Sequence, residues 1–151
     1  MSPRPSAVLF ACTLNRVRSP MAAALGRRLA GSAIYMESCG LEPAEAVDPF
    51  AVAVMAELGL DVSGYHPKSF EALADGSFDL VVSLTPEAHA RAIALARGRA
   101  VEVEYWPTDD PTLAAGSREQ RLEAYRAVRD SLGRRIAERF ADPSTSDGRT
   151  A

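Results

Sequence analysis

The chain reads as one α/β domain: a doubly wound, four-stranded parallel sheet with helices on both faces. Three observations carry that reading. Apolar runs of strand length alternate with amphipathic stretches of helix length from residue 6 to residue 140, the pattern of a parallel sheet with crossover helices. Two of the runs, Ala7–Ala11 and Asp79–Leu84, are nearly continuous in apolar residues, as strands covered on both faces are. The 151 residues, 47% hydrophobic and 25% charged, suit a single core. We expect one domain over residues 1–141 and a loose, polar tail over 142–151, with no internal repeat.

The elements follow in order. Strand one spans roughly Ser6–Ala11, and helix one runs from Pro20 to about Ala30 with Met21, Leu25 and Leu29 at helical spacing, stopped by Gly31. Ser19 suits its N-cap and Pro20 its first position, where no backbone donor is needed. Ala33–Ser38 is strand two. Asp48-Pro49 starts helix two by the same device, Val52, Met55 and Leu58 share one face, and Gly59 ends it. Asp61–Lys68 is a connecting loop. Ser69–Ala74 reads as a short helix closed by Asp75-Gly76, and Asp79–Leu84 is strand three. Thr85-Pro86 caps a helix reaching about Arg97, with Gly98 after it. Ala100–Tyr105 alternates like a half-exposed edge strand. After the loop Trp106–Gly116, Ser117 and Gln120 form a capping box for a long last helix whose stripe is Leu122, Tyr125, Val128, Leu132, Ile136 and Phe140.

A net charge of −3 gives no strong pull toward nucleic acid or anionic membrane, and neither is an expected partner. Nothing approaches membrane-spanning length, and the apolar run after Met1–Pro5 is too short for a signal peptide. Two cysteines, Cys12 and Cys39, fit a reducing cytoplasm better than a disulfide scaffold. Two histidines and two distant cysteines offer no metal-ligand cluster, so neither metal nor cofactor is expected.

The informative stretch is Cys12–Pro20. It joins a buried strand to a helix N-terminus, where free N–H groups and the positive end of the helix dipole favour an anion and a thiolate. We expect the loop residues Thr13, Leu14, Asn15, Arg16, Val17 and Ser19 to hold a phosphate-like oxyanion that Cys12 attacks. In a doubly wound sheet, ligands sit at the carboxyl ends of the strands. The loop after strand four, carrying Asp109 and Asp110, should therefore reach the same edge.

Cys12, Asn15 and Arg18-Ser19-Pro20 after Val8–Ala11 resemble the signature loop of the low-molecular-weight protein tyrosine phosphatases, a superfamily that includes thiol-dependent arsenate reductases. The resemblance extends through Ser38-Cys39-Gly40, Asp48-Pro49, Phe78–Val82 and Asp110-Pro111, so it covers roughly residues 7 to 140. There are departures. Leu14 stands where the phosphatases usually have glycine, and Val17 where many have a second cysteine. Thr112 and Leu41–Glu45 stand where aromatics usually wall the phosphotyrosine ring. The thioredoxin-coupled reductases carry further cysteines after strand three, where this chain has Thr85-Pro86-Glu87-Ala88. The Tyr105–Pro111 stretch looks more reductase-like.

The resemblance implies roles that fit the residue chemistry. Cys12 is the expected nucleophile, passing through a cysteinyl-phosphate. Arg18 binds two oxyanion oxygens bidentately, which lysine cannot do. Asp110 is the expected general acid, then base; spacing alone leaves Asp109 as its rival, and the Asp-Pro match favours Asp110. Asn15 tolerates a left-handed backbone, and the resemblance makes Ser38 its hydrogen-bond partner. Ser19 either donates to the Cys12 sulfur or simply caps the helix. Arg16 lies at the rim, where it can shape substrate preference. Cys39 is either a second thiol for Cys12 or a small buried filler. Trp106, His66 and His89 are expected to be structural. The implied function is a phosphomonoester hydrolase, with phosphotyrosine the expected group, acting on a phosphorylated protein or a small phosphomonoester. The alternatives are an arsenate reductase using Cys12 with Cys39 or an external thiol, and a non-catalytic phosphate- or phosphopeptide-binding module. Nothing in the sequence speaks to oligomeric state.

Overall fold

In the computed structural model, which describes residues 4–71 and 77–141, the first apolar run becomes β1 (Ala7–Cys12), and all six of its residues are buried. β2 (Tyr35–Gly40), β3 (Leu80–Ser83) and β4 (Glu102–Tyr105) join it in one parallel sheet of order β2-β1-β3-β4. β1 is thus central. The chain winds one way from β1 to β2 and the other way to β3 and β4, so a crevice opens at the carboxyl ends of β1 and β3.

The helices are α1 (Arg18–Ala30), α2 (Pro49–Ala56), α3 (Pro86–Ala96) and α4 (Arg118–Phe140). Successive strand side chains point to opposite faces, and β1 divides accordingly. Val8, Phe10 and Cys12 enter the larger core with Met21 of α1, Val54 and Met55 of α2, and Leu132, Ile136 and Phe140 of α4. Leu9 and Ala11 enter a smaller core with Val81, Cys39, Phe70 and the α3 residues Ala88 and Ala92. Phe10 is fully buried, edge-on to both Trp106 and Phe140. Truncating such a side chain costs about 3–5 kcal/mol.

Most expected caps are present. Asp48 accepts from Phe50 N at the start of α2, Thr85 accepts from Ala88 N at α3, and Ser117 with Gln120 closes the capping box of α4. Ser19 is different. It lies inside the first turn of α1, whose N-cap is Val17 with no side-chain cap bond, because the Ser19 hydroxyl is taken up by the site described below. Strand two starts at Tyr35 rather than Ala33, since Ala33 N–H closes a turn onto Ala30 O. Asp79 precedes β3 because its carboxylate accepts from Ser6 N and Ala7 N, tying the starts of two strands together. Leu58 lies in the turn beyond α2. Of the expected Ser69–Ala74 helix, Ser69 forms a parallel bridge with Gly40; residues 72–76 and the tail 142–151 lie outside the described residues. Among the described residues, no helix is long and apolar enough to cross a membrane.

Candidate active site

Cys12 ends β1, and the chain enters α1 at Arg18, so the intervening loop must turn tightly. Its carbonyls are held from outside. The oxygens of Cys12, Thr13, Leu14 and Arg16 accept N–H bonds from Leu41, Glu42, Ala44 and Asp48 at 3.3, 2.9, 2.9 and 2.9 Å. In a trans peptide the C=O and the following N–H point opposite ways. These bonds therefore turn the N–H groups of Thr13, Leu14, Asn15 and Val17 away from the 41–48 segment, which is how backbone builds an anion nest. Asn15 supplies the left-handed residue the turn needs, at φ 53°. Gly40 lets the loop lie against β2: a Cβ there would stand 2.8 Å from Asn15 N and 2.9 Å from Thr13 O.

The Asn15 side chain is fully buried and locks this conformation. Its Oδ1 accepts from the backbone N–H of Lys68 at 2.7 Å, which fixes the orientation of the amide. Nδ2 then donates to Ser19 Oγ at 2.7 Å and to Ser38 Oγ at 3.0 Å. Ser19 Oγ shares a hydrogen bond with Cys12 Sγ at 2.9 Å and lies 3.3 Å from the Cys39 carbonyl. With Asn15 donating to it, the Ser19 hydroxyl proton has two acceptors to choose between, and a Cys12 thiolate is the stronger. Tyr65 completes the cluster, its hydroxyl reaching Ser38 Oγ, Ser38 O at 2.9 Å and Asn15 Oδ1 at 3.1 Å. Sequence reasoning missed Tyr65, which sits in a loop 50 residues from Asn15 with no periodic or spacing signal.

The second half of the site comes from the far end of the sheet. Arg18 Nη1 donates to Thr108 O at 3.0 Å, and Arg18 Nη2 stands 4.0 Å from Asp110 Oδ2. Asp110 also accepts from Thr112 N and Thr112 Oγ1, capping the 3₁₀ turn Pro111–Leu113. It is therefore both turn former and site residue. A cavity of about 40 Å³ is lined by Cys12, Leu14, Arg16, Val17, Arg18, Asp110 and Thr112. Asp109 is exposed and shares with Asp110 a separate hollow against α4, but of the two only Asp110 lines the Cys12 cavity.

Thr13, Asn15 and Ser19 do not line this cavity. Thr13 Oγ1 donates to Thr85 Oγ1, and the other two brace the loop. Val17 is 3% exposed and faces the larger core, while Leu14 is 40% exposed at the rim. Arg16 Nη2 pairs with Asp48 Oδ2 at 3.0 Å, and the same oxygen accepts from Tyr125 OH at 3.0 Å. Trp106 is core packing, with the Arg135 guanidinium over its ring and its indole N–H on Glu104. His89 shares a hydrogen bond with Ser83 and stacks on Tyr105.

Cys39 is placed as filler. It pairs in register with Ala11, whereas Cys12 pairs with Gly40, so the two thiols project from opposite faces into different cores. That one-residue offset opposes a direct Cys12–Cys39 disulfide, because the two side chains leave opposite faces of the sheet. Burial chiefly, with nearby negative charge, pushes the Cys39 thiol far above the ordinary cysteine range. Among the described residues no group of three His, Cys, Asp or Glu side chains is arranged to hold a metal ion.

Known proteins resemble this chain along most of its length. The arsenate reductase of Halalkalibacterium halodurans is 36% identical over 129 residues, covering 85% of this chain and 91% of its own. The arsenate reductase of Bacillus subtilis is 33% identical over 135 residues, covering 89% and 94%. Among solved structures, an arsenate reductase in the phosphate binding state superposes with a TM-score of 0.68 at 32% identity, over 88% of this chain and 95% of that one. A low molecular weight protein tyrosine phosphatase from T. tengcongensis shares the fold, with a TM-score of 0.73 at 24% identity over 87% and 95%. Residues 7–142 match the family described as low molecular weight phosphotyrosine protein phosphatase, and the chain belongs to that family.

Proposed function

We propose that the protein hydrolyses phosphomonoesters through a cysteinyl-phosphate on Cys12. The observation that carries this is the meeting of Cys12, Arg18 and Asp110, from opposite ends of the chain, around one cavity of about 40 Å³. A water needs roughly 10–15 Å³ of such space, so the cavity admits about three or four oxygen-sized atoms, the head of a tetrahedral oxyanion. The Cys12 thiolate attacks phosphorus while Arg18 holds two equatorial oxygens, and the P–O bond to the leaving group breaks as Asp110 gives that oxygen its proton. Asp110, now a carboxylate, takes a proton from water. The water oxygen attacks phosphorus, the P–S bond breaks, and Ser19 donates to the returning thiolate.

The names of the relatives favour a second reading, arsenate reduction. Arsenic(V) must then gain two electrons from thiols. Cys39 lies across the sheet, so that reading requires an external thiol. A binding module is disfavoured, because binding alone needs neither thiol nor acid. Parallel assays of aryl-phosphate hydrolysis and thiol-dependent arsenate reduction decide. Hydrolysis without added thiol, abolished by Cys12→Ser, is the expected result. Arsenite formation without appreciable hydrolysis overturns it. Asp110→Ala should slow substrates with poor leaving groups far more than good ones, and Asp109→Ala should not.

A further inference from the structure

Most of a bound substrate must lie outside a cavity that admits only the oxyanion, against the rim formed by Leu14, Arg16 and Thr112. Leu14 and Thr112 offer no flat face for a ring. Arg16 offers charge. Its side chain is 37% exposed beside the cavity, and among the described residues its one side-chain hydrogen bond runs from Nη2 to Asp48. Among the described residues Nε is buried with no acceptor, and an unsatisfied buried donor is costly.

Asp48 does not use up this arginine. One of its oxygens caps α2 at Phe50 N, and the other is shared between Arg16 and Tyr125. The carboxylate is 9% exposed, so it fixes one corner of the guanidinium without following it outward. The donors outside the buried Nε are thus held in advance of ligand, which reduces the entropy lost on binding.

We propose that Arg16 is the specificity-determining residue of this site and selects phosphomonoesters whose leaving group carries a carboxylate near the ester oxygen. The proposal rests on the hydrolase reading for the word ester, but recognition itself can be measured without turnover. Calorimetric binding of 3-carboxyphenylphosphonate and phenylphosphonate, both non-hydrolysable, gives a preference ratio. A charge-assisted contact predicts about tenfold in favour of the carboxylate. Arg16→Gln should bring the ratio to about one, and Arg16→Lys should keep part of it, lacking the fork. Asp48→Asn retains an acceptor for Phe50 N but releases the fixed corner of the guanidinium, so the ratio should fall in part, to between wild type and Arg16→Gln. A purely structural Arg16 would weaken both phosphonates together and leave the ratio unmoved. A ratio unchanged in Arg16→Gln overturns the proposal. Turnover of the matching aryl phosphates is measured alongside: no turnover with the binding ratio intact defeats the hydrolase reading and leaves Arg16 as the selecting residue.

Discussion

Replacing Gly40 by alanine adds one methyl group where β2 touches the back of the Cys12 loop. An ideal Cβ would stand 2.8 Å from Asn15 N, 2.9 Å from Asn15 Cβ and 2.9 Å from Thr13 O, where ordinary contact begins near 3.4 Å. The loop must therefore retreat by about 3.4 − 2.8 = 0.6 Å. None of the three atoms is the end of a flexible side chain. Nor can β2 give way easily, because Gly40 N donates to Lys68 O at 2.8 Å and Gly40 pairs with Cys12 in the ladder. Overpacking of this kind costs about 1–3 kcal/mol of stability. A 1 Å misplacement at a catalytic centre costs about a hundredfold, so 0.6 Å predicts a loss of roughly tenfold or more in kcat/KM. Urea unfolding and steady-state aryl-phosphate hydrolysis measure the two effects. Gly133→Ala, within α4, is the control: among the described residues nothing lies within 4 Å of its Cβ, and helix propensity predicts a gain of about 0.5–1 kcal/mol. If Gly40→Ala keeps wild-type stability and its kcat/KM within twofold, the loop is not held against β2 as described.

Three further outcomes are expected. Tyr65→Phe removes the hydroxyl shared by Asn15 and Ser38, and should cost about 1–3 kcal/mol in urea unfolding together with a fall in kcat; a wild-type profile in both would remove Tyr65 from the network. In the folded protein at neutral pH, iodoacetamide should label Cys12, which lines the cavity, and spare Cys39, which lies in the smaller core with its thiol held protonated by burial; peptide mass spectrometry showing equal labelling contradicts the placement of Cys39. Hydrogen bonds from Arg126 and Arg129 hold the Glu57 carboxyl down to about 2 from its ordinary 4.5. Because the folded value is the lower one, this contribution to stability is complete above about pH 4.5 and is lost as pH falls through about 2. Glu57→Gln should flatten the acid-side loss of stability over that window, and a pH–stability curve parallel to wild type would refute it.

Much of the architecture was legible because its determinants are local. The strand runs, the Asp48, Thr85 and Ser117 caps, and the stripe of the last helix all appear where neighbouring residues placed them. The boundaries that shifted did so under tertiary contacts, as when Asp79 left strand three to bind the start of β1. Ser19 illustrates the same competition inside the site. A serine before proline is a good local cap, but the Asn15 amide and the Cys12 sulfur offered its hydroxyl stronger partners.

Cys12-x5-Arg18 by itself determined that a thiol and a guanidinium share a loop between a strand and a helix, since seven residues cannot separate far. Sequence also put the Asp109-Asp110 loop on the same sheet edge. It left open which aspartate faces the loop, what braces Asn15, and whether Cys39 can reach Cys12. Those were decided by register and by side-chain direction. One residue along a strand reverses the face, so pairing with Ala11 sends Cys39 to the far core. One residue along a turn likewise separates Asp110 beside Arg18 from Asp109 outside the cavity.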